Sequence, residues 1–583
     1  MNFTVKITPE LSPGEVSVRL SDGNKNSEEI LYKGEDTTIN FDAEPTKLII
    51  RLKASIIKRI TQSFYCKYVD VTRDRSVFYF PVFQKISTAE MTIEEGSEFS
   101  LHLTYHTIGV QTVLRRIRNF CRPWRKLDDI KRVFLFPSKK AEYISQHWQE
   151  DAFFGRLFLD GCNPIMIERC NEIPQKIPVD KLKAVYPDIE ELVKKGEIYI
   201  VDYELLNKVM EGVIHGHQQY LAAPIVLLQE KEDDLMPIAI QLKQDPGEDN
   251  PVFTPKDKKE AWLLAKIWVR NSDFYVHELV SHLLRTHLLG EVFFFCTYVS
   301  LYDRHPILRL FMATGRYTLP LNVTARSTLV SDDGFFMTYT GLGKDAQWTV
   351  LQKANKNITY ESLCLPDDLE RRGLKDLKKF YYRDDGLALW DAIHEFLEAV
   401  VNNIYKSDED LCNDSVLKNL FWNIYEFGFE EKLDFPKEVK TREEAVKYLT
   451  MIMFTCSAQH AAVNHGQYDI YAWMPNGPTT MRQPPPKYKD QVTEKYIMNT
   501  LPLLDTTLEA MLISRLLSHV PKDFVPLGQY ADHVANDPHM REPVKKFRNK
   551  LKAIGATIEK RAADQEFPYM YLHPDHMENS IAI

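Results

Sequence analysis

Residues 277–287 read HELVSHLLRTH. Three histidines, His277, His282 and His287, stand five apart. At about 100° per residue on an α-helix, neighbours in this ladder sit roughly 140° apart. They cannot share one face of such a helix, so the spacing needs an explanation.

Three readings are open. A zinc-peptidase helix carries H-E-x-x-H, with two ligands four apart and a glutamate between them. The string from His277 and Glu278 to His282 is one residue too long for it. The second reading is a set of core histidines in a buried helix, each needing partners for both ring nitrogens. The third is a helix with a π-turn, whose i→i+5 bonds bring residues five apart onto one side. Histidines so placed can bind one ion, and imidazole suits Fe, Zn or Cu. Two imidazoles do not fill a coordination sphere. A second cluster, AQHAAVNHGQYD at 458–469, puts His460 and Asn464 four apart on one helical face, with His465 turned elsewhere.

The chain has 583 residues, 44% of them hydrophobic, and a net charge of −9. That length suggests two to four domains, and the charge gives no global pull toward nucleic acid. The eight cysteines, at 66, 121, 162, 170, 296, 364, 412 and 456, form no CxxC pair and read as reduced thiols. The start MNFTVKITPEL is unlike a signal peptide. The apolar run VFFFCTYVSLY at 292–302 is far shorter than the roughly 20 residues of a membrane span. A soluble, cytoplasmic protein is expected.

Residues 1–110 contain short β-rich segments, such as FTVKITP, EVSVRL and SVFYFPVF, separated by turn residues. They predict a small β-sandwich. The segment VLRRIRNFCRPWRK at 113–126 is dense in Arg and Lys, either a solvated connector or a contact for an anionic membrane surface. After about residue 140 helical spacing dominates. The expected architecture is therefore multidomain: a β-sandwich at 1–110, then a large, mainly α-helical domain at 111–583.

The stretch WLLAKIWVRNSDFYVHELVSHLLRTHLLGEVF, then RHP at 304–306, SAQHAAVNHGQYDIYAWMPNGPTTMRQPPP and the final NSIAI closely resemble the animal lipoxygenases. So do HWQEDAFFGRLFLDGCNP at 147–164, LAAPIVLL, YRDDGLALWDAI and FPYMYLHPD, so the resemblance covers nearly everything from about 140 to 583. The first hundred residues match that family's N-terminal lipid-associating PLAT/C2-like sandwich by position and strand pattern.

The resemblance implies one non-haem iron. Its ligands would be His282, His287, His460, the weaker Asn464 and the main-chain carboxylate of Ile583, with His465 a competitor of Asn464. His277 would be a supporting residue, and Glu278 and Gln467 would link the iron helix to the substrate channel. The implied reaction removes a hydrogen atom from the doubly allylic CH2 of a polyunsaturated fatty acid and adds O2 to give a hydroperoxide. By alignment with the family, Leu283, Leu288, Leu321, Leu329 and Leu517 would clamp the pentadiene. Phe274, Tyr339, Thr340 and Ile513 would set how deep the chain enters. Ala325 stands where most S-specific members have Ala and most R-specific members Gly, which favours an S-hydroperoxide. Val323 and Thr324 offer no basic partner for a carboxylate. Two rivals remain: a hydroperoxide isomerase on the same iron, and a non-catalytic, membrane-associating protein. Calcium in the sandwich loops SDGNKNSEE and KGEDTT is a further expectation, set against the lack of tryptophan in residues 1–110.

Overall fold

The computed structural model describes residues 2–9, 16–32, 37–52, 64–73, 76–86, 91–94, 124–134, 137–430, 432–520 and 523–583. Most of the basic segment at 113–126, and residues 33–36 of KGEDTT, lie outside them. The chain divides into two compact units, Met1–Cys121 and Arg122–Ile583, a break C-terminal to the one read from composition.

The first unit is a β-sandwich. Its strands are β1 (Asn2–Pro9), β2 (Val16–Ser21), β3 (Ile30–Tyr32), β4 (Thr37–Asn40), β5 (Lys47–Leu52), β6 (Phe64–Arg73), β7 (Ser76–Ile86) and β8 (Met91–Glu94). They form two four-stranded sheets, β4-β1-β6-β7 and β3-β2-β5-β8, with every pairing antiparallel. Period-two alternation sends Phe3, Val5 and Ile7 of β1 and Val16, Val18 and Leu20 of β2 into one shared core with Leu48, Ile50, Val69 and Val71.

The second unit carries a five-stranded antiparallel sheet near its start. In chain order its strands are β9 (Glu168–Arg169), β10 (Ile198–Asp202), β11 (Ile225–Lys231), β12 (Asp234–Gln241) and β13 (Val252–Phe253), in spatial order β13-β12-β11-β10-β9. Helix α1 (Asp151–Asp160) packs on β12 so closely that a Cβ on Gly155 would lie 1.6 Å from the main-chain oxygen of Leu235.

The centre of the unit is one continuous helical run, Lys259–Ser300. It comprises α2 (Lys259–Val276), a π-helical stretch His277–Leu288 and α3 (Leu289–Ser300). No glycine or proline interrupts residues 259–289. The run is long and apolar enough to cross a membrane, yet two-thirds of its most apolar window is buried inside the domain, so it reads as a core helix. Because it is buried nearly all round, its polar residues need partners from other elements. Lys266 Nζ meets Asp151 Oδ1 at 2.7 Å, and Asp273 Oδ1 accepts from Asn163 and from Tyr203, both at 2.8 Å. Ser281 Oγ donates to Asn163 Oδ1 at 2.6 Å.

Around this run lie α4 (Thr318–Thr328), α5 (Tyr381–Ile404), α6 (Arg442–Phe454), α7 (His460–Asn464), α8 (Gln467–Tyr471), α9 (Leu504–Leu517) and α10 (Arg541–Ala562). Another π-helical turn, Thr455–Gln459, joins α6 to α7. The last residues return to the centre. Asn579 bonds the main chain of residues 525–529, and Ile581 lies against α3, where a Cβ on Gly290 would meet its Cδ1 at 2.6 Å.

Gly155→Ala should destabilise the second unit by about 1–3 kcal/mol or more, because backbone rather than a movable side chain occupies the space. Thermal melts of the two proteins check this; equal melting temperatures would contradict the α1–β12 contact.

Candidate metal centre

The i→i+5 winding resolves the ladder. His282 and His287 now face the same side, and their Nε2 atoms lie 3.1 Å apart. The π-helical turn Thr455–Gln459 delivers His460 to the same point. The donor nitrogens of His282, His287 and His460 all lie within 4.8 Å of one another, and all three residues are buried. The main-chain oxygen of Ile583 completes the cluster, 3.1 Å from His460 Nε2.

His277 is different. Its Nε2 donates to the carbonyl of Val463 at 2.6 Å, and its Nδ1 meets the Tyr471 hydroxyl at 2.9 Å. Both nitrogens are thus engaged away from the cluster, and the ring stacks parallel to His282, 6.0 Å away. The core-histidine reading therefore describes the first rung alone.

The cluster's electrostatics favour neutral rings. Burial, with His282 beside it, pushes His287 down to about 3. Burial and the neighbouring imidazoles hold His460 well below its ordinary value. Burial also lowers His282, against the pull of Glu278. Glu278 is the counter-charge: despite burial, His277 and His282 hold its carboxyl at about 2. Its Oε2 lies 3.5 Å from His282 Nδ1.

Gln467 Nε2 lies 3.4 Å from His282 Nδ1 and 2.7 Å from Asn464 Oδ1. Two atoms here, Asn464 Nδ2 and Gln467 Oε1, are buried without a hydrogen-bond partner. Exchanging N and O in both amides keeps the bond between them and lets Gln467 Oε1 accept from His282 Nδ1. Asn464 then presents an oxygen where its unpartnered nitrogen stood. Three neutral imidazoles, an amide oxygen and a main-chain oxygen fit a divalent or trivalent transition metal, and without a cation the buried lone pairs oppose one another.

The His465 ring bonds the backbone of Tyr571, and together with His460, Ile583, Lys140, His576 and Glu578 it lines one cavity of about 220 Å3.

The alignment-based pocket residues divide by packing. Leu283, Leu288, Leu329, Tyr339 and Ile513 keep part of their surface open, while Leu321, Ala325 and Leu517 are buried. Leu321 and Ala325 of α4 and Leu329 at its C-cap form one stripe at four-residue spacing, as Ile513 and Leu517 do on α9. Phe274 is packed edge-on against Tyr471 and Tyr275, and Thr340 is wholly enclosed with its hydroxyl on the Phe336 carbonyl, so both sit within the wall.

Sequence reasoning missed three partners of the predicted site residues. Asn322 bonds His287, Tyr471 bonds His277, and Glu509, which burial pushes up to about 7, bonds Tyr339. The signal for Asn322 was a polar residue inside the buried stripe of LPLNVTA; Tyr471 and Glu509 carried none. In the sandwich, Asp22 Oδ1 accepts from the backbone of Asn24 and Lys25, and Glu29 pairs with Arg51 at 2.8 Å. Calcium there would have to displace those partners.

A family model described as Lipoxygenase matches residues 42–570. The chain is 40% identical over 495 residues to polyunsaturated fatty acid lipoxygenase ALOX8 of Mus musculus, a match covering 83% of this chain and 72% of that one. It is 40% identical over 469 residues to hydroperoxide isomerase ALOXE3 of Mus musculus, covering 79% and 66%. Among solved structures, delta413-417:GS LOX in complex with arachidonate matches with a TM-score of 0.79 at 26% identity, over 100% of both chains. Coral 8R-lipoxygenase, described as calcium-activated through a C2-like domain, matches with a TM-score of 0.76 at 25% identity, again over 100% of both. The chain belongs to the lipoxygenase family. It is accordingly an oxidoreductase of the non-haem iron dioxygenase class, with a sandwich followed by a helical catalytic domain.

The metal-free protein should lose stability as pH falls. The folded-state values of His287 and His460 lie below that of the unfolded imidazole, so below about pH 6.5 the unfolded chain binds protons the folded one refuses. The loss should run from about 6.5 toward 3, with full stability above that window. Melting temperature of the metal-free protein against pH checks this; a flat profile across the window would contradict neutral, buried rings.

Proposed function

We propose that this enzyme dioxygenates a polyunsaturated fatty acid of the arachidonate or linoleate type to an S-configured hydroperoxide. The observation that carries the reading is the convergence of His282, His287 and His460, with the Ile583 oxygen, on one buried point. These residues and Asn464 would hold the iron. When bound, iron supplies the one-electron oxidation and reduction that the removal of a hydrogen atom and the later release of the hydroperoxide require.

The chain's own residues do the rest. Buried, neutral imidazoles keep water away from the metal's inner face and offer lone pairs without competing protons. Leu283 and Leu288, on the π-helical run itself, and the α4 stripe of Leu321, Ala325 and Leu329 present apolar surface to a diene. They restrain it by shape, so O2 meets one face. The complex of a structural relative with arachidonate supports a fatty-acid substrate. Ala325 places a methyl group where glycine would leave space, which blocks O2 at one end of the pentadienyl system and supports S stereochemistry.

A second reading has one specific observation behind it: the hydroperoxide isomerase relative is as similar, at 40% identity, as the lipoxygenase ones. An isomerase would rearrange a preformed fatty-acid hydroperoxide to an epoxyalcohol and show no conjugated-diene formation from the fatty acid itself.

Purified protein with stoichiometric iron should convert arachidonic acid and O2 to a conjugated diene seen in the ultraviolet. His287→Ala should bind little iron and form none; full iron with retained turnover would sink the ligand assignment. Iron without diene, but with consumption of added hydroperoxide, would select the isomerase. Ala325→Gly should turn the product toward the R configuration at the alternative end of the diene, read by chiral chromatography. An unchanged product would remove the stereochemical role of Ala325.

A further inference from the structure

Asn322 sits beside Leu321 on α4 and is only 2% exposed. Its hydrogen bonds fix the orientation of its amide. Nδ2 donates to the main-chain oxygen of His287 at 2.8 Å and to Glu291 Oε2 at 2.9 Å. Both partners only accept at neutral pH, so the edge facing them must be the NH2 group; exchanging N and O would set oxygen against two oxygens. Oδ1 therefore faces His287 Nδ1, 3.0 Å away. An amide oxygen cannot donate, so Nδ1 carries the ring's proton. In a neutral imidazole Nε2 is then a bare lone pair, and it points into the three-histidine cluster.

Glu291 is held in turn. Both its oxygens meet the guanidinium of Arg326, one turn along α4 from Asn322. The Arg326 side chain is 47% exposed and that of Glu291 26%. The pair itself stabilises the fold little at such exposure. Its effect is geometric: it keeps one carboxylate in front of the amide.

We propose that Asn322, held in place by Glu291 and Arg326, is the positioning residue for His287, setting the tautomer and ring angle with which Nε2 meets the metal. The proposal rests on the reading of the three histidines as an iron site. It also gives α4 two duties. Its Leu321–Ala325–Leu329 stripe walls the substrate pocket, and its Asn322–Arg326 edge orients a ligand. A groups-in-contact network of this kind orients metal ligands and tunes the metal they hold.

The test uses the full chain and iron(II) alone. Asn322→Leu keeps the volume and removes the amide. Glu291→Ala removes the holder, and Glu291→Gln retains an oxygen that can accept from Asn322. Iron retention against a chelator, the EPR spectrum of the oxidised protein and the metal-free melting temperature are measured for each. Asn322→Leu should weaken iron binding by about 10–100-fold and alter the EPR line shape. Glu291→Ala should move both in the same direction by less, and Glu291→Gln should return toward the unsubstituted protein. Unchanged affinity and spectrum in folded Asn322→Leu would overturn the proposal. Where that variant fails to fold, Glu291→Ala decides in the same way, since its site is partly exposed. An unsubstituted chain that melts normally and binds no iron would refute the metal reading, and this proposal with it.

Discussion

Five-residue spacing is the constraint on which the catalytic domain depends. Two imidazoles five residues apart meet only if the helix winds with i→i+5 bonds, and such winding is uncommon and usually short. Here it extends over His277–Leu288. A wide turn of this length has weaker backbone geometry than an α-helix, so it persists because its surroundings hold it. The run is continuous with buried helix on both sides, and its polar groups are fastened to other elements: Ser281 to Asn163, His277 to Val463 and Tyr471, His287 to Asn322. Each fastening fills a hydrogen-bonding need that burial would otherwise leave open.

The same burial sets the chemistry. Removing three imidazoles from water disfavours their protonated forms, which is the condition for metal ligation at neutral pH. The side-chain carboxylate of Glu278 is turned to the back of His282 and His277 rather than toward the cluster's centre. Side-chain charge is therefore supplied behind the ligands, while the three imidazoles in front stay neutral and ready for a cation. The orphaned amide nitrogen of Asn464 belongs to this pattern: once both amides are reversed an oxygen stands in its place, free for an ion.

Much of this was legible in the sequence, and the remainder was not for identifiable reasons. Alternation in β1 and β2 revealed the sandwich because period two admits one buried face. The ladder raised the π-turn as one of three open readings, and the resemblance selected it. The resemblance then separated the first rung from the others, which spacing alone could not do: His277 and His282 are as far apart in sequence as His282 and His287. Phe274 and Thr340 show what alignment leaves out, since it names a position without the edge-on packing or the hydroxyl bond that holds its side chain. Asn322, Tyr471 and Glu509 were hidden because their partners are 35, 194 and 170 residues away, and no local pattern encodes a contact made across the fold.

Helix α4 shows how the two parts of such a site come to depend on each other. Four-residue spacing gives a helix adjacent stripes that move as one rigid body. One stripe is apolar, the surface we propose for substrate, and the next carries the amide hydrogen-bonded to His287. A side chain that displaced α4 to enlarge the pocket would also shift Oδ1 of Asn322 from His287 Nδ1, and an amide–imidazole bond of 3.0 Å weakens steeply with displacement. Substitutions that reshape the pocket therefore have least effect on the metal where they exchange volume within the stripe, as at Ala325, and most where they push the helix bodily. On the proposed assignment, the room available to substrate and the angle of a metal ligand are set by the same few turns of backbone.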